Sequence, residues 1–593
     1  MATYSRPGVY IQEVALPQAV QLADVSQSVG AMAGWLNKGA TAAPVLVSSW
    51  SEFVTNFGGL NDSYPTTWAA YNFFANGGRQ LYVKRIAGTG AVNASISFND
   101  NTGVTTTATV TAASAASGTV TYTASNAFVA GQTVTITGIT GTTAFNLTSV
   151  TIATANATTF TVTNAATGTA VTGQTATATV VTASNPVFTL SAKNPGAWAN
   201  SYAAQIIPGG SASTFGLNIF VVSGNSYTAV ESYTDLSMSS TDKNFVRTVI
   251  NTLSAVATIG TVGFDGTKTP FKTATTPTTF GGGADGTAPA RTDYYNPATT
   301  PATGAWATFD VINNPLVIYA ADAPYHATLT SELHGDAMLY AATRDDSFVV
   351  VDTPAGLSAA LAQTSVTATL AVAAAGTTGN IAAAYYPWIN IPDGTKIAGA
   401  LRLQAPGAAV VGQYLATDAT RGVFKTPAGL GNKIALAVST EKLFTNAELD
   451  ALNTSSDPVN AIRQVPGAGI VIMGGRTLDN TANNRYINIR RSLYFIEKEI
   501  KDLSSFALFE NNDFRLWSQL RTTINNFLLG YWQQGGLRGV SPTEAYYVKV
   551  DETTTTFADM QNGRVNIEVG VALQYPAEFV VIKLGQLTGS ATA

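Results

Sequence analysis

Residues suited to acid–base or metal chemistry are few in this sequence. The two histidines, His326 and His334, have seven residues between them, a spacing at which they form no known helical or loop metal pair. Three aspartates, Asp345, Asp346 and Asp352, flank a short apolar run and could form a carboxylate cluster, because strand ends of α/β sheets host active sites. No nucleophile or base accompanies them. The sequence therefore predicts no enzyme, no catalytic residue, no metal site and no cofactor.

A glycine loop and an arginine pair are the remaining candidate binding elements. The loop at Gly281–Gly283 lacks the following Lys-Ser/Thr of a phosphate-binding loop, which favours an ordinary turn. Arg490 and Arg491 lie in an amphipathic segment. They form either a solvated helix face or an electrostatic contact surface.

Composition is typical of a large, weakly charged, folded protein. The 593 residues suggest roughly three to five domains. Hydrophobic residues make up 46% and charged residues 11%, which favours large cores over disorder. A net charge of −5 argues against a general nucleic-acid binder, and without cysteine there is no disulfide or thiolate chemistry. We expect no signal peptide and no membrane span.

The sharpest change of composition lies between Ala91 and Leu190, where Asp100 is the single charged residue. Within this stretch, Val134 and Ile136 alternate with threonines, and so do Phe160 and Val162. Short alternating strands with Gly/Asn turns predict an inserted Ig-like β-sandwich over 104–182. The segments before and after it then belong to one interrupted domain.

The elements outside this insertion mix helices and strands. Apolar runs at 313–322 and 345–354 predict buried strands of an α/β sheet, and 242–256 predicts a helix with Phe245, Val249 and Leu253 on one face. Towards the end of the chain, two amphipathic helices precede a strand pair at 546–551 and 564–573. The apolar stripe of the first helix is Ile489, Leu493, Ile496, Ile500 and Leu503, and that of the second is Trp517, Leu520, Ile524 and Phe527.

Two predicted strands have no local partner. The alternation from Val9 to Val14 follows Pro7-Gly8, and no tight turn after it returns a second strand. A second lone strand runs from Glu578 to Leu584, beyond Pro576. Because a lone strand leaves its N–H and C=O groups unpaired, each of the two must find a partner elsewhere.

Segments spread along nearly the whole chain resemble the contractile tail sheath proteins of bacteriophages, which are related to the sheaths of phage-tail-like bacteriocins. The order of the segments is more specific than any one of them. They are RPGVYIQEV, SVGAMAGWLNKGATAAPVLVSSWSEFVTNFG, AKNPGAWAN, ESYTDLSMSSTDKNFVRTVIN, GGGADG, AAYYPWINI, GQYLATDATRGVFKTPAG, NRYINIRRSLYFIEKEI, LFENNDFRLWSQLR, FLLGYW, GLRG, YYVKVDETT and PAEFVVIKLGQ.

This resemblance implies a structural protein that polymerises into a helical sheath around an inner tail tube. The sheath would contract once from a metastable extended state and drive the tube through the host envelope, ejecting the genome. Its partners would be many copies of itself, the inner tube, the baseplate and the tail terminator, with no specific nucleic acid. Its location would be the virion tail, after synthesis and assembly in the host cytoplasm. The alternative is a non-contractile virion surface protein or adhesin.

The resemblance also implies exchange of terminal strands between neighbouring subunits, by β-augmentation. The N-terminal arm would be Val9, Tyr10, Ile11, Gln12, Glu13 and Val14, and the C-terminal arm Glu578, Phe579, Val580, Val581, Ile582, Lys583 and Leu584. The receiving strands would carry Tyr546, Val548, Val550, Val565, Ile567 and Val569, and the candidate tube contact would be Arg485, Arg490 and Arg491.

The expected fold is a multidomain α+β and α/β chain, with a sheath-type core, an inserted all-β Ig-like sandwich and extended terminal strand arms. The expected segments are an N-terminal arm and hinge (1–24), an interrupted α/β region (25–103 and 183–438), the sandwich (104–182), a tube-facing C-terminal domain (439–576) and a C-terminal arm (577–593).

Overall fold

The computed structural model describes residues 28–100, 104–182, 186–211, 213–261, 264–270, 276–373 and 379–578. The predicted N-terminal strand Val9–Val14, the hinge that follows it, and the arm residues from Phe579 onward lie outside these residues. The chain divides into two compact units. The sheet unit comprises the residues up to Thr89 and from Ala288 onward, and the insert unit comprises Gly90–Thr287.

An eight-stranded sheet is the centre of the sheet unit. Its six inner strands are parallel, and a short antiparallel strand closes each edge. The central strands are buried on both faces, which explains why the runs at 313–322 and 345–354 are almost continuously apolar. In sheet order the strands are Val45–Val47, Leu81–Ile86, Val29–Trp35, Leu316–Ala320, Phe348–Asp352, Ala382–Tyr386, Val459–Val465 and Gly469–Ile472.

Helices cover both faces of this sheet. One face packs against Thr330–Arg344, Ala359–Val372 and Asn446–Thr454, around a core that includes Trp306 and Tyr386. The opposite face packs against the helices Trp50–Phe57, Pro65–Ala75 and Gly407–Arg421. The prediction of an α/β sheet in this part of the chain is confirmed.

The insert unit has two antiparallel sheets over a shared apolar core. One has the strands Ser95–Asn99, Pro186–Ala192 and Ala257–Ile259, and the other Tyr202–Pro208, Thr214–Ser223, Ser226–Ser237 and Thr278–Thr279. The predicted helix is shorter than expected and spans Val246–Leu253. Its buried residues are Val246 and Ile250, whereas Leu253 is largely exposed.

Residues 104–182 form a closed six-stranded barrel, which corrects the prediction of an Ig-like sandwich. Val134, Ile136, Phe160 and Val162 are fully buried, as their alternation predicts. The first and last strands are long and irregular in register, which allows a single sheet to bend and close on itself. The strands are Val104–Ala116, Thr119–Ala124, Thr133–Thr137, Val150–Ala155, Thr159–Thr163 and Val171–Thr182.

The boundaries of the two units also differ from the predicted interrupted region of 25–103 and 183–438. The strand Leu81–Ile86 belongs to the eight-stranded sheet, whereas Pro186–Ala192 pairs with Ser95–Asn99 in the insert unit. The segments on either side of the barrel were expected to form one domain with the α/β region. They instead form a separate unit, because their strands pair with each other and not with the large sheet.

The last part of the sheet unit contains two long helices, Ile487–Leu503 and Phe514–Gln533, and a two-stranded sheet of Tyr546–Lys549 and Glu568–Val571. The remaining α-helices are Arg291–Tyr294, Pro542–Ala545 and Phe557–Gln561, and the remaining strands are Ile389–Pro392, Leu401–Gln404 and Ser439–Thr440. The 3₁₀ turns are Thr143–Phe145, Ala197–Ser201, Trp306–Val311, Ala323–Tyr325, Gly379–Ile381 and Ser505–Ala507.

No helix within the described ranges is long and apolar enough to cross a membrane. Nor do the described residues contain a group of three or more His, Asp or Glu side chains placed to hold a metal ion. The ring of His334 is buried between two backbone groups, Thr330 O at 3.0 Å and the N–H of Asp352 at 3.3 Å. Burial lowers the pKa of His334 to about 4, so the ring is neutral and serves as a packing element.

The carboxylate cluster considered above does not form. Asp345 and Asp346 precede the strand Phe348–Asp352, whereas Asp352 ends it, so they lie at opposite ends of this strand. One oxygen of Asp352 accepts hydrogen bonds from the Tyr319 hydroxyl at 2.7 Å and the Gly407 N–H at 2.9 Å. Its other oxygen has no partner in the described part of the chain. Burial raises the pKa of Asp352 to about 7, although these two hydrogen bonds act in the opposite direction.

The raised pKa of Asp352 predicts a pH-dependent stability. A protonated Asp352 stabilises the fold fully below its unfolded pKa, and this contribution is lost as pH rises through about 7. Asp352→Asn keeps an acceptor for Tyr319 and Gly407 but cannot ionise. Relative to the variant, wild-type protein should lose up to roughly 4 kcal/mol of unfolding free energy between about pH 4 and 7.

Urea unfolding at several pH values measures this difference. Asp450→Asn makes the same chemical change at an exposed helix position and should follow the wild-type pH dependence. If wild type and Asp352→Asn lose stability in parallel as the pH rises, the assignment of this titration to Asp352 is wrong.

Candidate assembly surface in the C-terminal segment

Two helices and a short sheet share one apolar core near the end of the chain. Ile496 of the first helix and Ile524 and Leu528 of the second are buried in it. Ile496 and Ile524 belong to the predicted apolar stripes, and Leu528 follows the predicted Phe527. The ring of Phe495 packs against Tyr531 at 5.4 Å between centroids. Asp513 caps the second helix by accepting hydrogen bonds from two of its first backbone N–H groups.

The sheet that packs on this core, which we call the C-terminal ribbon, consists of Tyr546–Lys549 and Glu568–Val571. Its two strands are antiparallel, with Val548 opposite Val569. It is shorter than the predicted pair at 546–551 and 564–573. Of the predicted receiving residues, Tyr546, Val548 and Val569 lie in the strands. Val550, Val565 and Ile567 lie just outside them, with Val550 buried and the other two half-buried.

Both outer edges of the C-terminal ribbon lack a neighbouring strand in the part of the chain that the structure describes. The residues directly after the second strand are also hydrogen-bonded to the rest of the chain. Arg538 N donates to Ala572 O at 2.7 Å, and Leu537 forms an isolated antiparallel β-bridge with Leu573. Two short strands alone make a marginal sheet, and exposed edges are templates for further strands. Among the described residues, the ribbon is therefore a short sheet that is open on both sides.

Residues 572–578, which we call the terminal strap, lead away from the C-terminal ribbon. Gln574 is held on both sides: its carbonyl accepts from Asn488 Nδ2 at 2.8 Å, and its own side chain donates to Leu537 O at 3.0 Å. The ring of Tyr575 meets Tyr486 edge-on at 6.1 Å. The strap ends at Glu578, whose carboxylate forms an ion pair with Arg476 at 2.7 Å.

Glu578, the first residue of the predicted C-terminal arm, is bound to its own chain through this ion pair. Its carboxylate also accepts hydrogen bonds from Tyr486 Oη at 3.2 Å and Asn453 Nδ2 at 3.3 Å. Burial of this carboxyl acts to raise its pKa, but the hydrogen bonds and charge of Arg476 outweigh burial, and the pKa lies below its ordinary value. Glu578 is thus an ionised anchor of the chain. The sequence offers no local signal for it, since Arg476 lies 102 residues earlier.

Two solved structures share the architecture of this chain over most of its length. The sheath tail protein of Listeria innocua is 12% identical, with a TM-score of 0.52 over 92% of this chain and 95% of that one. The helical sheath of the anti-feeding prophage, in its contracted state, is 17% identical, with a TM-score of 0.50 over 98% of this chain and 100% of that one. The chain has the fold of a tail sheath protein. No protein-family model matches the sequence, and no curated protein matches it.

The sheath fold of both matched structures agrees with the prediction of a sheath-type core. It also agrees with the resemblance that the sequence segments carry. At these identities the likeness concerns the fold, and the roles of individual residues rest on the geometry of this chain.

The arginines expected to contact a tube do not form a common surface in this sheath fold. Arg491 is 3% exposed, and its guanidinium pairs with Asp418 and lies over the Tyr414 ring at 5.0 Å. This burial corrects the prediction that Arg491 faces outward. The half-buried Arg490 lies over the Tyr494 ring at 4.0 Å. Arg485 precedes the helix, which begins at Ile487, and donates to Asn480 O at 3.1 Å.

The buried pair of Arg491 and Asp418 predicts a structural role that Arg490 lacks. Arg491→Met should lower the free energy of unfolding by about 3–5 kcal/mol, because it leaves the Asp418 carboxylate buried without its partner. Arg490→Met, the matched control on the same helix, should lower it by about 1 kcal/mol or less. Urea unfolding of the two variants measures both values.

A double variant without either charge separates two contributions to the free energy of unfolding, the ion pair itself and the packing of the Arg491 side chain. Arg491→Met combined with Asp418→Asn should recover part of the lost stability, since no unpaired charge is then buried. Equal losses for Arg490→Met and Arg491→Met would contradict the structural role of the pair.

Proposed function

We propose that the protein is the subunit of a contractile helical sheath that surrounds an inner tube. The observation that carries the proposal is the sheath fold over nearly the whole chain, shared with a helical sheath in its contracted state. The C-terminal ribbon, with an unpaired edge on each side within the described residues, supplies a surface on which copies can join. Contraction from a metastable extended packing would drive the tube into a target envelope.

In this proposal the copies join by exchange of terminal strands. Val9–Val14 of one neighbour and the residues after Glu578 of another would add to the two edges of the C-terminal ribbon. Because the donating and receiving surfaces differ, the contact is head-to-tail and extends into a filament and not a closed dimer. Backbone pairing could persist while the copies rearrange, with Ala15–Ser26 absorbing the change as a hinge.

The other partners of the proposal are the inner tube, a baseplate and a tail terminator. The particle would be a bacteriophage tail or a related contractile injection apparatus, assembled in the cytoplasm of the host. Energy stored during assembly would power contraction without a nucleotide. Because Arg491 is buried, the proposal leaves it out of the predicted tube contact and retains Arg485 and Arg490 there.

Negative-stain electron microscopy of the purified protein tests the proposal. A sheath subunit should form striated hollow cylinders, either by itself or on tubes. The second candidate, a non-contractile surface protein or adhesin, should appear as isolated particles or closed oligomers. Only such particles, under conditions that include the tube protein, would contradict the sheath function.

The proposed strand exchange predicts that both chain ends are required for assembly and not for folding. Deletion of Met1–Val14, or of residues 579–593, should leave a folded monomer that forms no polymer. Each missing strand removes several backbone hydrogen bonds of about 0.5–1.5 kcal/mol apiece at every contact. Circular dichroism measures folding, and sedimentation with microscopy measures polymer.

A matched control keeps both ends and adds a Gly/Ser segment of equal length before Met1. This variant should assemble, because the strand itself is intact. Normal-length sheaths from either deletion variant would contradict strand exchange through these residues.

The barrel, in contrast, is expected to be dispensable for assembly. It contains no Asp, Glu, Lys, Arg or His between residues 104 and 182, and its own apolar core is closed. The chain enters and leaves it on paired neighbouring strands, since Val104 is opposite Thr182. A short linker can therefore replace it without opening another core. We place this module on the outside of the sheath, for solubility or weak contact with cell-surface glycans.

Replacement of Val104–Thr182 by a short Gly/Ser linker should yield a chain that still forms sheath and still contracts. The sheath should have a smaller outer diameter in electron micrographs. A matched control replaces the barrel by an unrelated domain of similar size and should restore the diameter. Loss of polymer in the linker variant, or density for the barrel next to the tube, would show that the placement is wrong.

A further inference from the structure

The ion pair between Arg476 and Glu578 is built more completely than a chance surface contact. Arg476 Nε donates to Glu578 Oε1 at 2.9 Å, and Nη2 donates to Oε2 at 2.7 Å, which is the two-pronged geometry of a strong arginine–carboxylate pair. The remaining nitrogen, Nη1, donates to Asn453 O at 2.7 Å and Asn480 Oδ1 at 3.3 Å. The side chains of Arg476 and Glu578 are 7% and 21% exposed.

The arginine is itself fixed to the eight-stranded sheet. The backbone N–H of Arg476 donates to Asn460 Oδ1 at 2.8 Å, and Asn460 Nδ2 donates back to Arg476 O at 2.7 Å. Asn460 lies in the strand Val459–Val465 and also donates to Ala384 O of the neighbouring strand. Glu578 is therefore held at a defined point on the rigid part of the sheet unit.

This attachment limits the positions that the terminal strap can take between the C-terminal ribbon and Glu578. Gln574 is already held by Asn488 and Leu537, so without the contacts of the Glu578 carboxylate residues 575–578 would be restrained mainly by the ring contact of Tyr575 with Tyr486. Four residues of extended chain span up to roughly 13 Å. The chain beyond Glu578 would then begin from any point within that reach instead of from one.

We propose that Arg476 and Glu578 form a clamp that sets the origin and register of the C-terminal strand that a second copy of this chain receives. The clamp acts through the strand, so both are positioning residues, and the inference rests on the proposed function. A fixed origin matters because a slip of one residue turns every side chain of a strand to the opposite face. It also raises the effective concentration of the strand at the edge that receives it.

A set of variants tests the clamp, with wild-type sheath assembly as the reference. Glu578→Ala should reduce the polymer fraction in sedimentation by about tenfold or more, because the strand loses its fixed origin. Glu578→Gln keeps one acceptor for Arg476 and the acceptor for Tyr486, so it should retain an intermediate fraction. The control is Asp62→Ala, which removes a carboxylate from the exposed ion pair with Arg402 and should assemble as wild type does.

A register test separates the clamp from a purely structural role. Insertion of one glycine directly after Glu578 shifts every later residue relative to the clamp and should abolish polymer. The same insertion after Thr588, close to the end of the chain, should be tolerated. If the strand began from a loose segment, the first insertion would be absorbed, so the two insertions would behave alike.

The outcomes distinguish the clamp from the function on which it rests. Wild-type protein that forms no sheath overturns both. Wild-type sheath together with normal assembly of Glu578→Ala and of the insertion after Glu578 overturns the clamp alone. If Glu578→Ala melts at a lower temperature and its loss of polymer reflects instability, the two insertions decide, because neither touches a described contact.

Discussion

The pairing of strand edges is the constraint on which the rest of this structure depends. Each backbone N–H and C=O of a strand needs a partner, and the sheets of this chain differ in how far they meet this need. The eight-stranded sheet ends in short antiparallel strands, Val45–Val47 and Gly469–Ile472. The barrel closes on itself and has no edge. Within the described residues, the C-terminal ribbon does neither, and its edges remain available. The C-terminal ribbon is one of several sheets with open edges among the described residues, and in the proposed function it is the one at which copies join.

Charged residues are scarce in this protein, and several of them fasten distant segments together. Arg491 joins one of the C-terminal helices to Asp418 of a helix on the large sheet, and Arg476 joins the strand region to Glu578 near the chain end. A buried pair contributes little net stability relative to apolar packing, but breaking one partner is costly, so such pairs favour one arrangement over others. The protein is proposed to keep its fold while its copies rearrange. Buried ion pairs that favour one arrangement of distant segments suit that role. The barrel has no charge at all and relies on apolar packing alone.

In the proposed function, a sheath stores and releases energy through the contacts between its copies. Strands that add to both edges of a ribbon link each copy to two others, and repeated head-to-tail contacts build a helix. The energy of contraction would then lie in contacts between copies, while the core of each copy stays intact. In this proposal the barrel, enclosed in its own core, takes no part in these contacts.

Elements that depend on local sequence could be predicted, whereas the partners of those elements could not. Apolar runs and helical stripes identified the strands ending at Ala320 and Asp352 and the two C-terminal helices, because burial repeats with the period of the element. The alternation that buries Val134 and Phe160 predicted strands, but a sandwich and a barrel share that alternation, and only the pairing of the first and last strands distinguishes them. The exposure expected of Arg491 was wrong because its partner, Asp418, lies 73 residues away. Local sequence determines which face of an element is apolar. The tertiary structure decides which distant group meets it, because pairing of strands and of buried charges joins residues that are far apart along the chain.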